Sequence, residues 1–237
     1  MEMKDIELNK QKFIDIAKKN IKREGINELL AWLETTDFFE CPASAKFHSA
    51  EPGGLCFHSL NVYNRLLKLA KDEFGEENIN LESITIIALF HDICKCCFYK
   101  QEMRNVKENG EWVQKPYYVI DDQLPYGHGE KSVYMANGYL RLTREEALAI
   151  NWHMGGFDKR TQAGGNEMSA SYYKYPICVL THIADIMASY LDESRPNYRR
   201  KLWIIKNLQT YYIKMFTQHL NIIMKNSQKD NLLLVLK

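Results

Sequence analysis

Residues 81–95 of this 237-residue chain read LESITIIALFHDICK, and this run constrains the fold more than any other stretch. Ile84, Ile86, Ile87, Ala88, Leu89 and Phe90 leave a helix there almost no solvent face. The run then ends on His91-Asp92. A carboxylate at the end of such a helix is costly to bury unless a partner satisfies it directly. A metal ion does so, because it bonds imidazole and carboxylate alike.

The rest of the chain reads as helices around this segment. Residues 8–23 and 25–36 have amphipathic spacing, broken at Gly25. Residues 37–56 carry two prolines and a Gly-Gly and read as a long loop. A helix follows from about Phe57 to Phe74, with Leu60, Tyr63, Leu67 and Ala70 on one side. Residues 104–120 place Asn-Gly between two β-prone runs, which predicts a hairpin standing as a flap between two candidate site histidines. Helices return over 128–141, from the capping box Thr143–Glu146 to about Met154, and from Pro176 to about Asp192. Residues 158–172 read as a polar loop, and a last helix covers about 199–225. The expected fold is all-α, a helical bundle with one small β-hairpin. It forms a single domain over 1–237, with N-terminal helices (1–36), a core (37–192) and a C-terminal extension (195–237).

Composition is ordinary for a soluble globular protein, 46% hydrophobic and 26% charged. No apolar run reaches membrane-spanning length, and the charged start lacks a signal-peptide core, so no membrane association and a cytoplasmic location are expected. The net charge of +1 is uneven: residues 195–237 hold nine Lys or Arg against Asp230 alone. That basic segment reads either as a contact for nucleic acid or an acidic surface, or as a solvated helix face. Three of the six cysteines crowd into CKCC (94–97). No second cysteine pair sits at zinc-finger spacing, so reduced thiols lining helix contacts are the expected state.

Six residues stand out as metal donors: His58, His91, Asp92, His128, His153 and Asp185. Five lie at or near expected helix ends, where one end of a bundle gathers side chains, and Asp185 sits in the middle of an apolar helix. Each alone has a structural explanation, since a single buried histidine is usually a hydrogen-bonded core residue. Together they suit one or two divalent ions of Mn, Fe, Co, Ni, Zn or Mg. Six donors exceed the need of one open catalytic ion and fit two ions sharing a carboxylate.

The order H…HD…H…H…D resembles the HD-domain superfamily of metal-dependent phosphohydrolases. FHSAEPGGLCFHSLNVY (47–63), ALFHDICK (88–95), YGHGEKSVYM (126–135), AINWHMGGFD (149–158) and VLTHIADIMASYLD (179–192) look like family segments in family order. The likeness is greatest to stand-alone bacterial and phage HD hydrolases. Residues 47–59 also resemble the HD domain of bacterial 3′-to-5′ exoribonucleases. The resemblance implies that His58, His91, Asp92 and Asp185 hold one metal. His128 and His153 would hold a second, with Asp92 bridging, and Lys95 would meet a phosphate oxygen. Cys94 departs from the pattern, standing where Gly is usual. His48 matches an extra histidine of the exoribonuclease-like stretch and would touch substrate or leaving group, a loop-packing role being the other reading. Lys100 and Arg104 follow the HD segment and either meet further phosphates or form a solvated surface. Glu130 is a candidate for orienting a ligand, whereas core packing is the expected role of His182.

The expected function is hydrolysis of a phosphomonoester or phosphodiester, in a nucleotide or short oligonucleotide, by a metal-activated water with Asp92 and Lys95 at the centre. Two alternatives stand beside it. One is a nucleotide-sensing module that does not cleave. The other is a protein acting through its basic C-terminus, in nucleic-acid contact or assembly into a homo-oligomer.

Overall fold

The computed structural model describes residues 5–193. The basic segment 195–237, its expected helix and its expected contacts lie outside the described residues. Within them the chain folds as helices with one antiparallel hairpin, as the sequence predicts. No helix among the described residues is long and apolar enough to cross a membrane.

Helix α1 (Ile6–Asn20) is capped by Asp5, whose carboxylate accepts from the Leu8 amide, and buries Phe13, Ile14 and Ala17. Gly25, at φ 90°, turns the chain into α2 (Ile26–Glu34). Helix α3 (Gly54–Phe74) starts three residues earlier than expected, because Gly53 in the left-handed region opens it. His58 therefore lies just beyond the first turn.

Helix α4 (Leu81–Phe90) is the buried element. Ile86, Ile87, Ala88, Leu89 and Phe90 have no exposed surface, and each large side chain there contributes about 1.5–3 kcal/mol by burial. It packs against α1, α3 and α6 (Arg144–Asn151). Phe13 meets Phe38, Phe39 and Phe90 edge-on at 5.2–5.8 Å, which ties the loop after α2 to both helices.

The helix stops at Phe90 rather than running to Lys95. Asp92 leaves helical geometry (φ −110°, ψ 18°), and Ile93–Lys95 form a single 3-10 turn. Side chains three apart eclipse in such a turn, so Asp92 and Lys95 come to the same side.

The hairpin pairs β1 (Tyr99–Glu108) with β2 (Glu111–Ile120) across Asn109-Gly110, both at positive φ. It begins five residues before the expected start. Most of β1 is solvent-exposed, so its residues lack the alternation that marks a half-buried strand. Tyr99 at its base is partly buried and donates a hydrogen bond to the Ala43 carbonyl, 3.4 Å away.

Helix α5 (His128–Asn137) ends four residues before the expected boundary, where the Asn137 side chain accepts from the Leu142 amide. The capping box Thr143–Glu146 opens α6 as predicted. The expected loop 158–172 instead holds two short helices, α7 (Lys159–Gln162) and α8 (Glu167–Lys174). Both lie largely on the outside and carry no apolar stripe to betray them. Helix α9 (Pro176–Met187) starts on proline and passes into a wider π-type turn, Ala188–Glu193. It packs on α3, α6 and α8.

Candidate metal centre

The helix boundaries bring all six candidate donors to helix ends. His91 caps α4 and Asp92 follows it; His128 opens α5; His153 follows α6; His58 is near the start of α3. Asp185, expected in mid-helix, lies in the last turn of α9, because that helix closes at Met187.

Asp92, 2% exposed, is the hub. Its Oδ1 faces His128 Nε2 at 2.8 Å and His153 Nε2 at 3.3 Å. Its Oδ2 faces His91 Nε2 at 3.5 Å, His58 Nε2 at 3.6 Å and Lys95 Nζ at 2.6 Å. His58 Nε2 also lies 3.2 Å from Asp185 Oδ1 and 3.2 Å from His91 Nε2. Each oxygen of Asp92 thus has its own pair of histidines.

The outer ring nitrogens fix what the inner ones offer. His91 Nδ1 donates to the Ala88 carbonyl at 2.8 Å and His153 Nδ1 to that of Ile150 at 2.6 Å. His58 Nδ1 donates to the Glu193 carboxylate at 3.0 Å. A proton on Nδ1 leaves a neutral ring with a lone pair on Nε2. His91 and His153 thus turn Nε2 inward, toward a carboxylate that is itself an acceptor. His153 Nε2 is buried with no hydrogen-bond partner among the described residues. Acceptors facing acceptors in a buried site are costly unless a cation stands between them. The donor set therefore fits a divalent metal, with imidazole nitrogen and carboxylate oxygen as the bonding atoms.

The electrostatics show the same demand for positive charge. Burial works against a charge on His58, but Glu193 and Asp185 outweigh it and lift the imidazole to about 10. Burial likewise opposes a charge on His128, which Cys94 and Asp92 lift to about 10. His91 goes the other way, pushed down to about 3 chiefly by burial, and stays a neutral donor. Burial raises the Asp92 and Asp185 carboxyls, yet Lys95 and the histidines hold Asp92, and His58, His91 and His153 hold Asp185, below the usual carboxylate range. Lys95 is raised despite burial, because Asp92 holds its ammonium.

His48 stands beside the cluster, its ring 4.9 Å from that of His58. Its Nε2 is buried and has no hydrogen-bond partner among the described residues. Burial, with the neighbouring His58 and Lys95, pushes it down to about 4, so the ring is neutral at pH 7. Lys100 and Arg104 sit exposed on β1, Lys100 paired with Glu102 at 3.1 Å and Arg104 over the Tyr117 ring. Glu130 is held by Arg160 at 2.7 Å, and His182 donates through Nδ1 to the His153 carbonyl at 2.6 Å. The Cys94 sulfur lies 3.5 Å from His128 Nδ1, so the residue that replaces the usual Gly packs on a cluster histidine.

Sequence reasoning missed Glu193. Its carboxylate accepts from His58 Nδ1, from Ser49 Oγ at 2.7 Å and from Asn61 Nδ2 at 3.1 Å. The one signal was proximity: Glu193 falls eight residues after Asp185, at the end of the same helical stretch.

A family model described as HD domain matches residues 57–190, more than half of the chain. The match opens at Phe57, so most of the exoribonuclease-like stretch 47–59 lies outside it. No curated protein and no solved structure matches the chain.

Proposed function

The chain belongs to the HD-domain family, and from that membership we propose that it is a metal-dependent phosphohydrolase cleaving a phosphomonoester or phosphodiester of a nucleotide or short nucleic acid. The observation that carries this reading is the division of Asp92, one oxygen to each pair of histidines. His58, His91, Asp92 and Asp185 would hold one divalent ion, and His128 and His153 a second, with Asp92 shared. When bound, such ions supply Lewis acidity that lowers the pKa of water and neutralises phosphoryl charge.

The chain's own residues do the positioning. Glu193 and the Ala88 and Ile150 carbonyls keep the proton on Nδ1, which leaves the inward nitrogens free to bond. Lys95 brings a buried ammonium to the rim of the cluster. A phosphate oxygen approaching Nζ takes over as partner from Asp92, and the charge counts for more there than in water. His48, neutral and with a bare Nε2, is placed to hydrogen-bond a substrate hydroxyl or leaving group.

Metal analysis with a panel of nucleotides and short oligonucleotides, wild type against Asp92→Ala, tests the reading. Wild type should contain or be activated by a divalent ion and release phosphate or nucleotide. Asp92→Ala should lose both the cluster-bound metal and turnover. No hydrolysis with any metal across the panel ends this reading. Tight nucleotide binding without turnover, unchanged in Asp92→Ala, puts a sensor in its place.

A further inference from the structure

Behind the Lys95 turn lies a second group of donors that the phosphohydrolase reading does not use. Cys96 and Cys97 follow Lys95 directly, and Asp37 comes from the loop after α2, some 60 residues earlier. The Asp37 carboxylate and the two sulfurs all lie within 4.8 Å of one another. Cys97 reaches this position at φ 51°, its amide donating to Asp37 Oδ1 at 2.6 Å. Such a φ is uncommon for a side-chain-bearing residue and directs both the amide and the thiol of Cys97 to the Asp37 loop. A third thiol, Cys41, is buried alongside, its sulfur making only long contacts of 3.8 Å to the Phe38 and Lys95 carbonyls. Cys96 is buried and Cys97 is open to solvent, so the group has both a protected interior and a path of access.

The sequence argued against a cysteine metal site because no second cysteine pair sits at finger spacing. The fold removes that objection by supplying a carboxylate from a distant loop. We propose that Asp37, Cys96 and Cys97 form a thiolate site for a borderline-soft divalent cation, zinc being the best chemical match. Two thiolates and one carboxylate are donors that zinc accepts, with solvent completing a tetrahedron on the open Cys97 side. Binding exchanges each S–H for an S–metal bond and releases the thiol protons to solvent. Burial, with the neighbouring acid and thiols, raises the free Cys41 and Cys96 thiols, so both stay protonated until a cation displaces the proton. The site shares no donor with the histidine cluster. It would fasten the 37–53 loop, which carries His48 and Ser49, to the turn that carries Lys95.

The test uses the full chain, reduced and metal-free. Cobalt(II) titration should give a thiolate-to-cobalt charge-transfer band in wild type, in Asp92→Ala and in Cys94→Ser, and lose it in Cys96→Ser/Cys97→Ser. Cys94→Ser excludes the one thiol beside the histidine cluster, and Asp92→Ala separates this site from the hydrolytic one. Residue-resolved alkylation needs no variant: zinc should protect Cys97 from iodoacetamide in wild-type protein. Absence of the band in wild type overturns the proposal. So does a band that survives the double substitution, or Cys97 alkylated as fast with zinc as without it.

Discussion

Asp92 shows how much one residue depends on its neighbours. A carboxylate with five charged or chargeable groups around it stays ionised against burial, and His58, His91 and His153 are oriented by the acceptor that holds each outer proton. Glu193 does this for His58 from outside the donor set. Glu193→Gln keeps a hydrogen-bond acceptor and should weaken divalent-metal affinity about tenfold, and Glu193→Ala up to about a hundredfold, by direct titration of the metal. Wild-type affinity in Glu193→Ala would show that His58 needs no such partner. Lys95→Met is expected to leave metal content intact and lower kcat/KM by about a hundredfold, the cost typical of removing one charge-stabilising donor. A variant that loses metal instead would mean that Lys95 supports Asp92 rather than substrate. That these six residues would gather was legible in the sequence, because imidazoles and carboxylates set in apolar runs stand out as candidate ligands. Glu193 was not, because an acid at the end of a helix reads as a solvated surface residue until a buried histidine is found against it.

Elements matter here through where they stop. Helix α4 ends at Phe90, and the 3-10 turn after it sets Asp92 and Lys95 on one side. The turn after α6 does the same for His153, and it depends on Gly155. That residue has φ 53°, and a Cβ there would lie 2.3 Å from His182 Cε1. The His182 ring fills the space and holds the His153 carbonyl. Gly155→Ala should therefore destabilise the fold by about 1–3 kcal/mol, seen as a lower denaturant midpoint with unchanged slope, and weaken metal binding through His153. An unchanged midpoint would show that the turn repacks freely. The Thr143–Glu146 box and Pro176 were legible, since these signals act locally, whereas α6 closes at Asn151, three residues before the end that Gly155-Gly156 predicted. Boundaries set by tertiary contacts were not legible. The first half of β1 and helices α7 and α8 are polar and exposed, so neither periodicity nor burial marked them.

At the scale of the whole molecule, the bundle must hold five helix ends together around a cluster of like-natured acceptors, and buried polar ties do part of this. Glu146, fully buried at the start of α6, is one. It receives Arg23 at 2.6 and 2.9 Å, Ser83 of α4 at 2.6 Å and the Thr143 amide at 2.8 Å, so it joins the α1–α2 connection, α4 and α6. Burial alone would raise its carboxyl, but Arg23 and the other donors outweigh it and hold it below the usual glutamate value. A carboxyl depressed in the folded state binds fewer protons there than in the unfolded chain. Its contribution is therefore complete above the unfolded value, about 4.3, and is lost as pH falls through the folded value. Glu146→Gln removes the charge and leaves Arg23 short of its partner, which should cost about 2–3 kcal/mol at pH 7. Denaturant titrations of both chains from pH 7 downward should show that gap holding above pH 5 and narrowing below about 4. The histidine cluster titrates equally in both chains and cancels from the comparison. A gap independent of pH would mean that the loss comes from packing and hydrogen bonding around Gln, and that the ion pair itself does not hold α6, and with it His153, to α4.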